Sequence, residues 1–286
     1  MNAAEVLAHA VETLKASPAI DHWQKDREEI EADDLLCFAL GVDEIDPGSA
    51  VPGGVTRRFD AMVARRAAGE PVQLIKGFAV FRGLEILARP GVFVPRDSTE
   101  YLAEQAIRRL RGRHHPIGLD LACGGGTVAL AMADEVPNAT IYGTDISSDA
   151  IRVARRNATR LELANVRFRT GDLFGALPSS LRGAVDVITL HPPYVAKREL
   201  HELPDEIRRF EPAHTLTDDS DDGLGLIGRT AAGSGDWLKG GGWLLVEVSP
   251  DRARAVASVM RSHGFNGVRS TMDHGFKVTR VLVGRW

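Results

Sequence analysis

The chain has 286 residues, 44% of them hydrophobic and 26% charged, which suits a globular protein with room for a small domain and a catalytic one. A formal net charge of -4 argues against a dedicated nucleic-acid binder. Two cysteines, Cys37 and Cys123, cannot build a disulfide framework or a four-ligand zinc site. The chain has no signal-like start and no apolar run of membrane-spanning length, so it reads as cytoplasmic, with no membrane partner.

Residues 1–70 read as a helical bundle domain. Val6, Leu7, Val11 and Leu14 mark one apolar helix face, which Pro18 ends. A second helix carries Ile30, Leu35, Leu36, Phe38 and Leu40 and stops at Gly41. A third runs over 56–68 and stops at Gly69, before Pro71. None of the three carries chemistry. Over residues 71–97 apolar residues mix with Gly77, Gly83, Pro90 and Gly91, which predicts a β-hairpin linker from Val72 to Val94.

Residues 98–286 form the expected catalytic domain. A helix over 98–111 precedes strands at 117–121, 140–144, 166–170, 185–190 and 243–248, with a last pair near 267–271 and 278–284. Strands alternating with helices predict an α/β fold with a parallel sheet covered on both faces. Ligands bind such sheets at the carboxyl ends of the strands.

The motifs sit at those ends. Asp120-Leu-Ala-Cys-Gly-Gly-Gly126 follows the first strand, and its small residues Ala122, Gly124 and Gly126 let the backbone turn close to a ligand. The helix from Thr127 then aims free N–H groups at that ligand. Asp145 ends the second strand, where a carboxylate can accept the two hydroxyls of a ribose. Its rival role is to cap the next helix, which Ser147 could also do. Gly171-Asp172-Leu173 follows the third strand and could meet an adenine amino group. The fourth strand runs into His191-Pro-Pro-Tyr194, where Pro192 and Pro193 stiffen the turn and Tyr194 offers an aromatic face. A dinucleotide site would need glycines in the Gly-x-Gly-x-x-Gly spacing, but residue 129 is Ala. Methyl transfer is favoured over hydride transfer.

With these motifs in order, the chain resembles the HemK/PrmC-type protein-(glutamine) N-methyltransferases, which modify the Gly-Gly-Gln loop of peptide-chain release factors. Further matches are Glu70-Pro-Val-Gln-Leu-Ile-Lys-Gly77, Val92-Phe-Val-Pro-Arg-Asp-Ser-Thr-Glu100, Glu211-Pro212, Asp222-Gly223-Leu224 and the strand ending at Glu247. The resemblance implies a class I, Rossmann-like methyltransferase with a seven-stranded, mostly parallel sheet whose last strand is antiparallel. It implies S-adenosyl-L-methionine contacts at Asp120, Ala122, Cys123, Gly124, Gly126, Asp145, Ile146, Asp172, Leu173 and His191. It places the substrate side chain between Phe93 and the turn His191, Pro192, Pro193 and Tyr194, which carries the catalytic role. The front domain would recognise a protein substrate such as a release factor, with the enzyme acting as a monomer and without specific nucleic-acid binding.

Departures from the family pattern gather on the acceptor side. Its Asn-Pro-Pro-Tyr is His191-Pro-Pro-Tyr194 here, its Pro-Arg-Pro-Glu-Thr-Glu is Pro95-Arg-Asp-Ser-Thr-Glu100, and its Glu-x-Gly is Glu247-Val-Ser249. Asp218-Asp-Ser-Asp221 replaces the usual glycine pair before Asp-Gly-Leu, and Ala122 stands at a usual glycine. A neutral His191 has one ring acceptor, and a protonated one has none. Three readings are open: imidazole replaces the amide for a glutamine substrate; it serves another protein or small-molecule amine; or the chain binds the cofactor without turnover. A nucleic-acid amino-methyltransferase is a further rival, because such enzymes share the polar-Pro-Pro-aromatic turn.

Overall fold

The computed structural model describes every residue except Trp23, His274 and Phe276. The chain opens with helices α1 (Ala3–Lys15), α2 (Arg27–Leu40), α3 (Gly53–Ala67) and the short α4 (Val72–Lys76). Asn2 and Glu5 cap α1 reciprocally, each side chain bonding the other's backbone N–H. Gly41 takes the left-handed conformation, φ 73°, that ends α2. Val6, Leu14, Leu35, Leu36, Phe59 and Val63 close one core, joined by Val72 and Ile75 of α4.

That last contact corrects the expected hairpin linker, whose first residues are helical. Pro71 starts the turn, Gly77 ends it at φ 85°, and Val72 and Ile75, three apart, face the same helical core. The hairpin itself is shorter, β1 (Phe78–Phe81) and β2 (Leu84–Leu87), turning at Arg82 and Gly83, both at positive φ.

Next come α5 (Glu100–Leu110), β3 (Ile117–Leu121), α6 (Thr127–Glu135), β4 (Thr140–Asp145), α7 (Ser148–Arg160), β5 (Val166–Thr170) and β6 (Val185–Leu190). After them lie α8 (Asp205–Phe210), α9 (Gly225–Ser234), β7 (Leu238–Glu247), α10 (Ala253–Ser262), β8 (Asn266–Asp273) and β9 (Val278–Arg285). Seven strands form one sheet in the order β5-β4-β3-β6-β7-β9-β8. Pairs from β5 to β7 are parallel, and β9 runs antiparallel to both neighbours. The predicted α/β fold and its antiparallel last strand are therefore present. Strand β7 begins at Leu238, before the expected 243, and its pairing with β6 shifts register across Gly240-Gly241-Gly242, where Gly241 takes φ 82°.

Helices α5, α6 and α7 cover one face through Leu102, Ile107, Leu130 and Ile151. Helices α9 and α10 cover the other through Ile227, Val256 and Met260. Strand order reverses between β3 and β6, so a crevice opens beyond their carboxyl ends. The helical unit is tied to the sheet unit by a buried ionic cluster. Arg66, fully buried, donates to Glu31 and to Glu206 of α8 at 2.7 Å each, and Arg27 grips the same Glu206 at 2.8 and 3.0 Å. Burial pushes the Glu206 carboxyl up, but the two guanidiniums outweigh it and hold the carboxyl below its ordinary range.

Candidate active site

The loop after β3 is built around a buried carboxylate. Asp120 accepts from the Thr189 hydroxyl of β6 at 2.8 Å and from the Ala129 N–H in the first turn of α6 at 3.2 Å. Burial raises this carboxyl to about 7. Asp120 thus pins the start of α6 against the sheet, and the loop between must turn sharply. Ala122, Gly124 and Gly126 all take positive φ there, at 51°, 53° and 88°. At Gly126 a Cβ would sit 2.7 Å from the Phe168 ring, so the close approach demands glycine. Cys123 is buried and its thiol is pushed up by that burial, which leaves it unreactive.

Asp145 faces this loop from the end of β4. Its two oxygens accept from the N–H groups of Gly124 at 2.9 Å and Ser147 at 2.8 Å. Burial raises the Asp145 carboxyl, while those two bonds pull the other way. Capping of α7 falls to Ser147, whose hydroxyl accepts from Ala150 N–H, so the rival role for Asp145 goes to its neighbour. Each Asp145 oxygen keeps a lone pair for a ligand.

These residues line a cavity of about 290 Å³. Asp120, Ala122, Cys123, Gly124, Asp145, Ile146, Asp172, Leu173, Phe93, His191, Pro192 and Pro193 all border it. Gly126 and Tyr194 do not. Gly126 packs behind the loop, and Tyr194 lines a second cavity of about 360 Å³. Asp172 is held in an ion pair with Arg229 of α9.

The two cavities meet at Phe93, Arg96, His191, Pro192 and Pro193. The Phe93 ring stands edge-on to the His191 ring, centroids 5.1 Å apart, and Tyr194 lies nearly parallel to it at 6.1 Å. His191 Nδ1 is 3.3 Å from the Thr99 hydroxyl and 3.6 Å from a carboxylate oxygen of Glu247. Burial lowers the imidazole pKa below its ordinary value, opposed by the Glu247 charge and reinforced by Arg96 and Arg280. Burial and the two guanidiniums thus favour the neutral ring. The carbonyls of His191, Pro192 and Pro193 accept no hydrogen bond among the described residues.

Several lining residues escaped sequence reasoning. His214, Thr215 and Thr217 border the first cavity from one loop that has no periodicity to betray it, and Asp218 and Asp219, noted only as a departure from the family pattern, border it beside them. Arg27, Glu31, Pro71, Val72 and Gln73 border the second from the helical unit.

Comparison with known proteins decides the family. Residues 5–77 match the PrmC N-terminal domain model, and residues 117–217 match a methyltransferase domain model. The release factor glutamine methyltransferase of Burkholderia pseudomallei is 36% identical over 275 residues, covering 93% of this chain and 92% of that protein. The chain belongs to the release factor glutamine methyltransferase family. The relative from Bordetella pertussis is 39% identical over 212 residues, covering 74% of this chain and 77% of its own. A solved methyltransferase from Pyrococcus furiosus shares the fold, with a TM-score of 0.53 at 19% identity over 71% of this chain and 89% of that one.

As a member of this glutamine methyltransferase family, the protein is an S-adenosylmethionine-dependent enzyme. The first cavity fits that group. Asp145 offers a carboxylate to two hydroxyls, the glycine loop offers bare backbone, and Ile146, 71% exposed, offers an apolar surface to a flat ring. Asp145→Ala is expected to weaken S-adenosylmethionine binding by about 1.5–3 kcal/mol, the worth of hydrogen bonds to a charged group. Titration calorimetry checks this, and unchanged affinity in the folded variant would move the cofactor elsewhere.

Proposed function

We propose that this enzyme methylates the side-chain amide nitrogen of a glutamine in a peptide-chain release factor. The observation that carries the proposal is the meeting of two cavities at Phe93, His191 and Pro192. One cavity suits the cofactor, with contacts at Asp120, Ala122, Cys123, Gly124, Asp145, Ile146, Asp172 and Leu173. The other runs between the helical unit and the sheet unit and suits an inserted side chain. No helix among the described residues is long and apolar enough to cross a membrane. A cytoplasmic monomer acting on a protein partner suits the sparing use of cysteine.

An amide nitrogen is a weak nucleophile because its lone pair is shared with the carbonyl. When bound, the cofactor supplies a methyl group on a positively charged sulfur, already strongly electrophilic. The protein's task is then to position and polarise the amide. Phe93 and Tyr194 flank the amide plane. Nε2 of the neutral His191 accepts one N–H, and the rigid carbonyl at Pro192 accepts the other. Held by two acceptors, the nitrogen pyramidalises and frees its lone pair.

Incubation of the enzyme with methyl-labelled S-adenosylmethionine and a purified release factor, followed by mass spectrometry, tests the proposal. One methyl on the glutamine of the Gly-Gly-Gln loop is the expected result. A methyl found only on another protein or on a small amine in host lysate would transfer the same chemistry to a different acceptor. Cofactor binding without turnover on either would leave a binding protein.

A further inference from the structure

His191 replaces the asparagine of the family pattern, and imidazole can do what a carboxamide cannot: take a proton. We propose that Glu247 is a positioning residue that holds His191 protonated on Nδ1, so that Nε2 presents its lone pair to the acceptor nitrogen and takes the proton that nitrogen loses. This rests on the acceptor role given to His191 above.

Strands β6 and β7 are parallel neighbours in register, Leu190 beside Val246, so the residues that follow stand side by side at the same sheet end. Glu247 is 2% exposed. Its Oε1 is 3.5 Å from the Ser98 hydroxyl, but its Oε2 has no hydrogen-bond partner among the described residues and lies 3.6 Å from His191 Nδ1. A buried carboxylate oxygen without a donor is costly, and an Nδ1–H is the donor facing it. The Thr99 hydroxyl, 3.3 Å from Nδ1, can accept from the same proton. Nε2 has no hydrogen bond among the described residues, and the ring lines both cavities. With Nδ1 claimed from behind, only one tautomer leaves an acceptor in front.

Among the described residues, the charged and titratable groups around the ring come from four segments. They are Glu247 of β7, Arg280 of β9, Arg96 ahead of α5 and Tyr194 of the turn, with Glu211 taking the Arg96 charge in an ion pair. Two guanidiniums and burial oppose the imidazolium, and Glu247 alone favours it. In methyl transfer the N–C bond forms and the S–C bond breaks, the electron pair staying on sulfur. The nitrogen then bears one proton in excess. That proton passes to Nε2, the resulting imidazolium is held by Glu247, and the proton returns to solvent after the product leaves.

The ligand-free enzyme, labelled with 15N in histidine, gives the first test by NMR. The expected result is a neutral ring with Nδ1 protonated in the parent, and a His191 pKa that falls in Glu247→Gln. The same substitution is expected to lower kcat by about 10²-fold, as loss of an oriented base does, with KM little changed. Glu247→Asp keeps the charge and should restore part of both. A parent ring protonated mainly on Nε2 overturns the proposal even if the Gln variant does not fold. So does a Glu247→Gln enzyme with an unmoved His191 pKa and unchanged kcat. Loss of activity in His191→Ala beside an indifferent Glu247 would sink this inference alone. An indifferent His191 would sink the acceptor reading beneath it.

Discussion

His191→Ala is expected to lower turnover by about 10²- to 10⁴-fold, the range for loss of a positioned proton acceptor. Affinity for S-adenosylmethionine should stay within about twofold, because the change removes a contact made to the acceptor rather than uniform binding. The pH profile carries the sharper signature. The His191 pKa is lowered from its ordinary 6.5 by burial, with Glu247 opposing and Arg96 and Arg280 assisting. Neutral imidazole accepts a hydrogen bond and imidazolium does not. Parent activity should therefore hold at neutral pH and fall as pH drops through a value below about 6.5. His191→Asn has no titrating ring and should lose that acidic limb while keeping an acceptor. Steady-state rates of labelled methyl transfer across the pH range check both variants. Equal turnover by His191→Ala and the parent would make residue 191 a bystander.

Gly223→Ala is expected to be the most disruptive single-methyl change near the site. Gly223 sits at φ 69°, and an added Cβ would run into the Tyr194 carbonyl oxygen and lie 2.8 Å from its carbon. Left-handed backbone costs a residue with a Cβ about 1–2 kcal/mol. The clash is with backbone, which cannot swing aside as a side chain would. It is relieved only by moving the turn, which the Tyr194–Thr217 bridge and the Val195 N–H bond to Leu216 hold in place. A total loss of about 3 kcal/mol or more is expected, a drop in melting temperature of roughly 6–12 °C. Turnover should fall with it, since the Pro-Pro-Tyr turn is displaced. Gly228→Ala in α9, where nothing among the described residues lies within 4 Å of the added methyl, should be neutral or slightly stabilising. Thermal melts and rates of the two variants decide, and a Gly223→Ala enzyme that melts and turns over like the parent would refute the argument.

Strands β3, β5 and β6 were legible to the residue because short apolar runs between turn residues have few other readings. The glycine loop and Asp145 were legible because strand ends in a parallel sheet are where ligands sit. Helix α4 was not, since Val72, Leu74 and Ile75 fit a strand as well as a single helical turn, and only packing against α2 and α3 chooses. One side of the second cavity was legible, since Phe93 and the turn His191–Tyr194 were expected to hold the substrate side chain, but its full outline was not. Its walls join Arg27, Pro71, Leu203, Glu211 and Glu247, residues that only the folded chain brings together. The partnership of Glu247 with His191 was hidden likewise, because it depends on strand order and register rather than spacing.

The cluster of Arg27, Glu31, Arg66 and Glu206 sits beside that second cavity, which Arg27, Glu31 and Glu206 also line. Removing one side of a buried ion pair leaves the other side charged and unsolvated, at a cost of about 3–5 kcal/mol. Cutting the chain after α3 would do this to Glu206 and would strip Val72 and Ile75 of their core. The front helices and the catalytic sheet are therefore expected to melt in one transition, which calorimetry would check. The recognition unit cannot be exchanged for another like a cartridge: a new one would have to bring two arginines to the same carboxylate.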